Sequence, residues 1–225
     1  MKRVLFALLV GYAAAGATAR VSAATVTVDP GHNWLGFMNV FELPSNGGAF
    51  VFPSGWGTAD LTATFSGPVL TLGPNSVNDP STFWYQGGGG PGAPGNKNMF
   101  ASMYVEQTGP LAGQSVTFTG QVVSNTFISP YTVKAFVKDF APDYSSNNAA
   151  TVALNSNGVF SVTLNTAADP SRHVQFGFET VGPNVWITDR DPIGNMQIVG
   201  IPEPTTFALA SVAVLGLAMM GRRRK

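Results

Sequence analysis

Ser115-Val116-Thr117-Phe118-Thr119-Gly120-Gln121-Val122-Val123-Ser124-Asn125 decides the fold class of this chain. Val116, Phe118, Gly120 and Val122 fall on one parity, and Thr117, Thr119 and Gln121 on the other. Successive side chains of an extended chain point to opposite faces, so this alternation specifies a strand with one dry and one wet face. A sheet built of such strands must pack on a second sheet to close its core.

The pattern recurs on both sides of that stretch. Thr25 to Val28, Trp34 to Glu42, Asp60 to Phe65, Val69 to Leu72 and Met99 to Gln107 precede it. Thr132 to Phe140, Thr151 to Leu154, Val159 to Leu164, Val174 to Thr180 and Asn195 to Val199 follow it. Within Thr132 to Phe140, Val133, Ala135 and Val137 oppose Lys134, Phe136 and Lys138. About ten short strands at this spacing, with no helical period between them, predict an all-β, two-sheet antiparallel β-sandwich, jelly-roll-like in outline. Asn155-Ser156-Asn157-Gly158 is expected to close a hairpin, because Asn-Gly tolerates the positive φ of a tight turn. Gly87 to Gly95, broken by Pro91 and Pro94, is expected to be a mobile surface loop.

The ends read differently from the middle. Lys2-Arg3, the apolar Val4 to Ala17 and the small residues around Val21-Ser22-Ala23 predict a secretory signal peptide, 1–23, cut after Ala23 or Ala24 by signal peptidase after passage through the Sec translocon. At the other end Pro202-Glu203-Pro204 cannot continue a helix or strand, since each Pro lacks an N–H and fixes φ. An uncharged run from Phe207 to Met220 follows, and Arg222, Arg223, Arg224 and Lys225 close the chain as a cytoplasmic stop. The 201–225 segment is thus expected to hold a short transmembrane helix. The body between the ends, 24–200, forms one domain.

This three-part tail resembles the PEP-CTERM sorting signal. The resemblance implies that an exosortase-type membrane protease recognises Pro202, Glu203 and Pro204 and removes the tail, and that the product reaches the cell surface or extracellular matrix, in association with exopolysaccharide and biofilm. The stretch Arg172 to Glu179, followed by a loop and a last strand, resembles the end of galactose-binding-like jelly-roll carbohydrate-binding modules. That likeness implies a carbohydrate-binding body.

Of the 12 basic residues, seven lie in the two ends, which leaves Lys97, Lys134, Lys138, Arg172 and Arg190 against eleven acidic residues in the body. A balance of about −6 with no basic stripe argues against nucleic acid, whose phosphates demand Lys and Arg. Cysteine is absent, so no disulfide and no Cys-based metal site or nucleophile exists.

Catalytic constellations are not found. His32 and His173 lack a Gly-x-Ser-x-Gly elbow or a third metal ligand at a supporting spacing. Glu42, Glu106 and Glu179 are isolated, without the paired carboxylates of a glycosidase. The body is therefore expected to be non-catalytic, with a secreted polysaccharide-acting enzyme or a ligand-free structural surface protein as the alternatives. No cofactor is expected, and Asp189, Asp191 and Asp29 are the oxygen donors available to a structural Ca²⁺. Aromatic residues beside loops suit sugars, whose C–H faces stack on rings. Trp84 and Tyr85, with Gln86, Asn96 and Asn98 nearby, are the expected platform, and Trp34, Trp56, Tyr131, Tyr144 and Trp186 share the loop-side placement.

Overall fold

The computed structural model describes residues 22–201. The expected signal peptide before Ser22 and the expected sorting tail, with Pro202, Glu203, Pro204 and Arg222 to Lys225, lie outside the described residues. In chain order the strands are β1 (Ser22–Thr27), β2 (Trp34–Glu42), β3 (Phe50–Gly55), β4 (Ala63–Ser66), β5 (Val69–Leu72) and β6 (Lys97–Thr108). They continue as β7 (Gln114–Asn125), β8 (Thr132–Phe140), β9 (Asn147–Ala153), β10 (Gly158–Asn165), β11 (His173–Pro183) and β12 (Met196–Val199). Only three short 3₁₀ turns interrupt them, so the described residues are all-β.

Two six-stranded sheets carry these strands. The first is organised on β7, the stretch from which the fold was read, and Val116, Phe118, Gly120 and Val122 are its buried positions. β10 pairs antiparallel along one edge of β7 over Ser115–Val122. The opposite edge is shared end to end by β1, on Gln114–Thr119, and β12, on Gln121–Asn125. β12 then passes the sheet on to β5 and β4. The second sheet runs β3-β2-β6-β11-β8-β9, antiparallel throughout.

Apolar side chains of both inner faces meet between the sheets. Phe118 of the first sheet lies 5.3 Å from Phe176 and 5.2 Å from Phe178 of the second, centroid to centroid, and 5.5 Å from Phe160. Such tilted and edge-on arrangements place positive ring edges against negative faces. Met38, Leu70, Met196 and Ile198 fill the space around them. Charges on the core side are paired: Lys97, at the start of β6, meets Glu42 at 3.1 Å. Asp139, fully buried at the end of β8, accepts Arg172 Nε–H at 2.8 Å on one oxygen and the Ala167 N–H at 2.8 Å on the other. Both carboxylate oxygens are thereby satisfied, as burial of a charge requires.

Three expectations need correction. β1 pairs with β7 in parallel, so the sandwich is antiparallel-rich rather than wholly antiparallel. Asn155 to Gly158 does not close a hairpin: β9 is registered on β8 and β10 on β7, so this turn carries the chain from one sheet to the other. The expected set of strands lacks β3, where Pro53 and Gly55 interrupt the alternation. β3 is an edge strand, where a missing N–H costs nothing on the solvent side.

The expected signal-peptidase bond, after Ala23 or Ala24, falls inside β1, whose Ala24 faces Val116. At the other end of β1, Thr27 Oγ1 donates to Thr119 O and accepts the Ile201 N–H at 3.0 Å. The chain therefore leaves the body toward Pro202 from a tied position in the first sheet.

Phe118→Ala should lower stability by about 3–5 kcal/mol, the usual cost of an emptied aromatic site in a core. Val159→Ser, at a position 69% exposed, should stay within about 0.5 kcal/mol. Urea unfolding followed by circular dichroism reads both, and an equal effect of the two variants would contradict the core assignment.

Candidate binding site

The outer face of the second sheet is not an ordinary wet face. Opposite the core parity, its rows read across the strands as Phe37, Ser102, Glu179 and Lys134, then Leu35, Tyr104, Gly177 and Phe136, then Glu106, Gln175 and Lys138. Phe136 is buried although its strand neighbours are both lysines, because the Lys138 ammonium lies 4.0 Å over its ring. Glu179, only 6% exposed, receives Lys134 Nζ at 2.7 Å and Lys138 Nζ at 4.0 Å. Burial, partly offset by Glu179, holds the Lys138 ammonium below the usual lysine range. Gly177 is required at the centre: a Cβ there would lie 2.2 Å from Met103 O and 2.6 Å from Tyr104 Cα.

A cleft of about 710 Å³ crosses this face and takes lining residues from all six strands, from Pro53 on β3 to Asn147 on β9. Its volume is that of small-ligand sites. Its wall is built around Glu106. Tyr144 Oη donates to one carboxylate oxygen at 2.9 Å and Gln175 Nε2 to the other at 2.7 Å. The Tyr144 ring stacks on His173 at 4.4 Å between centroids, with planes 7° apart. His173 Nε2 lies 3.2 Å from Pro142 O and Nδ1 lies 2.7 Å from Thr108 Oγ1. A carbonyl only accepts, so Nε2 carries the hydrogen in that contact, while the Nδ1–Thr108 bond can run either way.

Tyr144 is held in an uncommon way. Its φ is +58°, in the left-handed region that non-glycine residues seldom occupy. The preceding Asp143 caps the turn by accepting from Ser145 N–H and Oγ–H, and these bonds pull its carboxyl below the usual range. Desolvation, with the Glu106 carboxylate, pushes the Tyr144 hydroxyl up to about 12, so it remains a donor at any physiological pH. Tyr144 as a whole is 48% exposed. The arrangement offers a fixed aromatic face beside amide, carboxylate and hydroxyl groups: Asn39, Asn147, Gln175, Glu106 and Ser102.

The expected platform lies elsewhere and is differently built. Tyr85 is 0% exposed, and its hydroxyl sits between the carbonyls of Val77 and Val185, which share its one O–H, and accepts the Val77 N–H. It is a core tyrosine, so no ligand reaches its ring. Trp84 is half-buried between Phe83, Phe52 and Trp56. The Gly-rich loop is tied rather than loose. Gly89 N–H donates to Pro80 O, Gly92 N–H to Asp189 Oδ2, and Gln86 N–H to Pro94 O. A Cβ at Gly95 would lie 1.9 Å from Asn184 O. Gln86 and Asn96 spend their amides on this loop, with Asn96 Nδ2 donating to Thr82 O. Asp189 is occupied by Gly92 and Thr188, and Asp29 by Gly31. Among the described residues no three His, Asp or Glu side chains come together as a metal cage.

Tyr144 was among the loop-side aromatic residues of the sequence, but the other cleft residues come from six strands spread over the chain and do not stand out together. A second signal was present. Phe136 between Lys134 and Lys138 on the wet parity is an apolar ring where only polar residues were called for.

No protein-family model and no curated protein matches this chain. Among solved structures, one described as "Structural basis for the promiscuous specificity of the carbohydrate-binding modules from the beta-sandwich super family" aligns with it. The alignment has a TM-score of 0.34 and 13% identity, and covers 69% of this chain and 67% of that one. A likeness that loose assigns neither fold nor ligand to this protein.

Tyr85→Phe removes the only side-chain donor that Val77 O and Val185 O share, and should cost about 1–3 kcal/mol. Trp84→Ala should also lower the melting temperature. Thermal melts read both. Unchanged melting of Trp84→Ala would restore it as a free platform.

Proposed function

We propose that the protein is an exported surface or matrix protein whose β-sandwich body binds carbohydrate without catalysis, across the outer face of the second sheet. The supporting observation is the Tyr144 wall. Sugar rings present C–H faces that stack on an aromatic plane and hydroxyls that bond to neutral amides. Tyr144 supplies such a plane, pre-set by Glu106, His173 and its own backbone, so little freedom is lost on binding. The lining amides Asn39, Asn147 and Gln175 supply the bonding groups.

Non-catalytic binding fits how the carboxylates are used. Glu179 is neutralised by two lysines and Glu106 is engaged on both oxygens. A general acid needs a carboxyl held protonated near neutral pH and opposed by a second free carboxylate. Export and sorting rest on the sequence. The signal-peptide pattern implies the Sec translocon and signal peptidase, and the PEP-CTERM-like tail implies an exosortase-type protease acting at Pro202-Glu203-Pro204. Extracellular polysaccharide is the partner this combination implies.

A glycan array probed with the exported protein identifies the ligand, and calorimetric titration measures it. Tyr144→Ala should weaken binding about tenfold or more, by analogy with base–aromatic stacking, with melting little changed. An array without a hit, or unchanged affinity in Tyr144→Ala, would remove the cleft from consideration. In a host that carries an exosortase, intact mass should show loss of the tail, and Glu203→Ala should leave a membrane-bound precursor. A mature chain still ending at Lys225 would contradict the sorting proposal.

A further inference from the structure

On its β3 side the sheet cleft reaches Phe37, which faces Gly55 across the β2–β3 pair. Gly55 belongs to a second cleft, of about 460 Å³, that continues past Trp56 into the loops. Directly opposed strand residues have Cβ positions only about 4.5–5.5 Å apart. The two clefts share no lining residue, but Phe37 of one and Gly55 of the other are a registered pair, so their rims are adjacent. Between them stands bare backbone: a Cβ at Gly55 would have no atom within 4 Å.

The second cleft carries unused bonding capacity. Among the described residues, Arg190 is the one Lys or Arg with no carboxylate within 4.0 Å; the others all pair. Its Nε–H donates to Ile187 O, and neither terminal NH₂ group donates to a described residue. The Asp60 carboxylate, on the same cleft, accepts no hydrogen bond from a described residue. A half-buried indole, Trp56, lies beside them. Thr62 on the cleft wall is held at φ +56°, a conformation β-branched residues rarely adopt, by its hydroxyl bond to Pro74 O at 2.8 Å. Guanidinium donors, a free carboxylate and an aromatic face together match adjacent sugar hydroxyls and a ring face.

We infer that the two clefts form one trough, occupied by a single polysaccharide chain that passes over Gly55 from the Tyr144 wall to Arg190. This inference rests on the carbohydrate reading of the sheet face and names the ligand class: a polymer bound along its length, not a terminal sugar. The sheet portion alone spans five interstrand spacings, about 24 Å, room for several sugar units. The chain is uncharged. Lys134 and Lys138 are balanced by Glu179 and Glu106 on the sheet face, and Arg190 shares its surroundings with Asp60 and Asp191, so the trough has no net positive charge to attract a polyanion.

The test uses the exported protein with a panel of soluble glucan, xylan, mannan, galactan and alginate, then the hexamer and dimer of whichever polysaccharide binds. Gly55→Ile puts a β-branched side chain into open space on an edge strand, at a backbone conformation open to any residue. It should fold normally, which a melting curve verifies. Gly55→Ile should weaken the hexamer about tenfold and the dimer less than about twofold. Arg190→Met should weaken the hexamer while sparing a dimer held at Tyr144. Hexamer affinity unchanged in both variants, but lost in Tyr144→Ala, would end the trough at the sheet and leave the sheet site standing. Preference for alginate would overturn the uncharged ligand class. No binding to any member of the panel would overturn both the trough and the site beneath it.

Discussion

The fold and its candidate site both depend on β11 being buried on its two faces. Val174, Phe176 and Phe178 enter the core, while Gln175, Gly177 and Glu179 on the opposite parity are buried as well. Core burial of one face is ordinary hydrophobic packing. Burial of the other places a carboxylate and an amide where water is scarce, and each must then find a partner. Lys134 and Lys138 answer Glu179, and Glu106 answers Gln175. Gly177 leaves space that Tyr104 fills from β6. The polar order of the outer face is thus a consequence of how deeply β11 is set.

From that order follows a stiff surface. A residue held in the left-handed region costs of order 1–3 kcal/mol and persists where its surroundings over-determine it. Tyr144 is fixed by a hydrogen bond to Glu106, by stacking on His173 and by the Asp143 turn. Glu106 is itself fixed from β11 by Gln175. An exposed ring anchored through two strands and a capped turn pays little ordering entropy when a ligand arrives. The outer face of the first sheet offers a contrast. Thr117 and Thr163 there bond to each other across β7 and β10 at 2.8 Å, in the manner of an ordinary hydroxyl-lined solvent face.

Much of the architecture was legible in the sequence, because period-two alternation survives wherever one face is wet. The bounds of β2, β5 and β8 follow from composition alone, and the buried parity of β7 is that of Val116, Phe118, Gly120 and Val122. Legibility fails where a second constraint replaces alternation. β3 was hidden by Pro53 and Gly55, which an edge position tolerates. The connection at Asn155 to Gly158 looks like a hairpin locally, but the pairing of β9 and β10 is decided by distant strands. Trp84 and Tyr85 were conspicuous beside glycines, yet the loop is pinned by Pro80, Asp189 and Asn184, and Tyr85 turns inward. The cleft was least legible. Asn39, Tyr104, Glu106, Lys138, Tyr144 and Gln175 become neighbours only through the strand order β2-β6-β11-β8.

The central claim is that the outer face of the second sheet is the ligand face of this protein. Amide chemical-shift mapping of the labelled exported protein, titrated with the best-binding oligosaccharide, tests it most directly. The account predicts shifts concentrated at Tyr104, Glu106, Lys138, Tyr144 and Gln175, extending to Gly55. Shifts confined to Thr117, Thr163 and the rest of the first sheet's outer face, or to residues 87–95, with those amides silent, would contradict it.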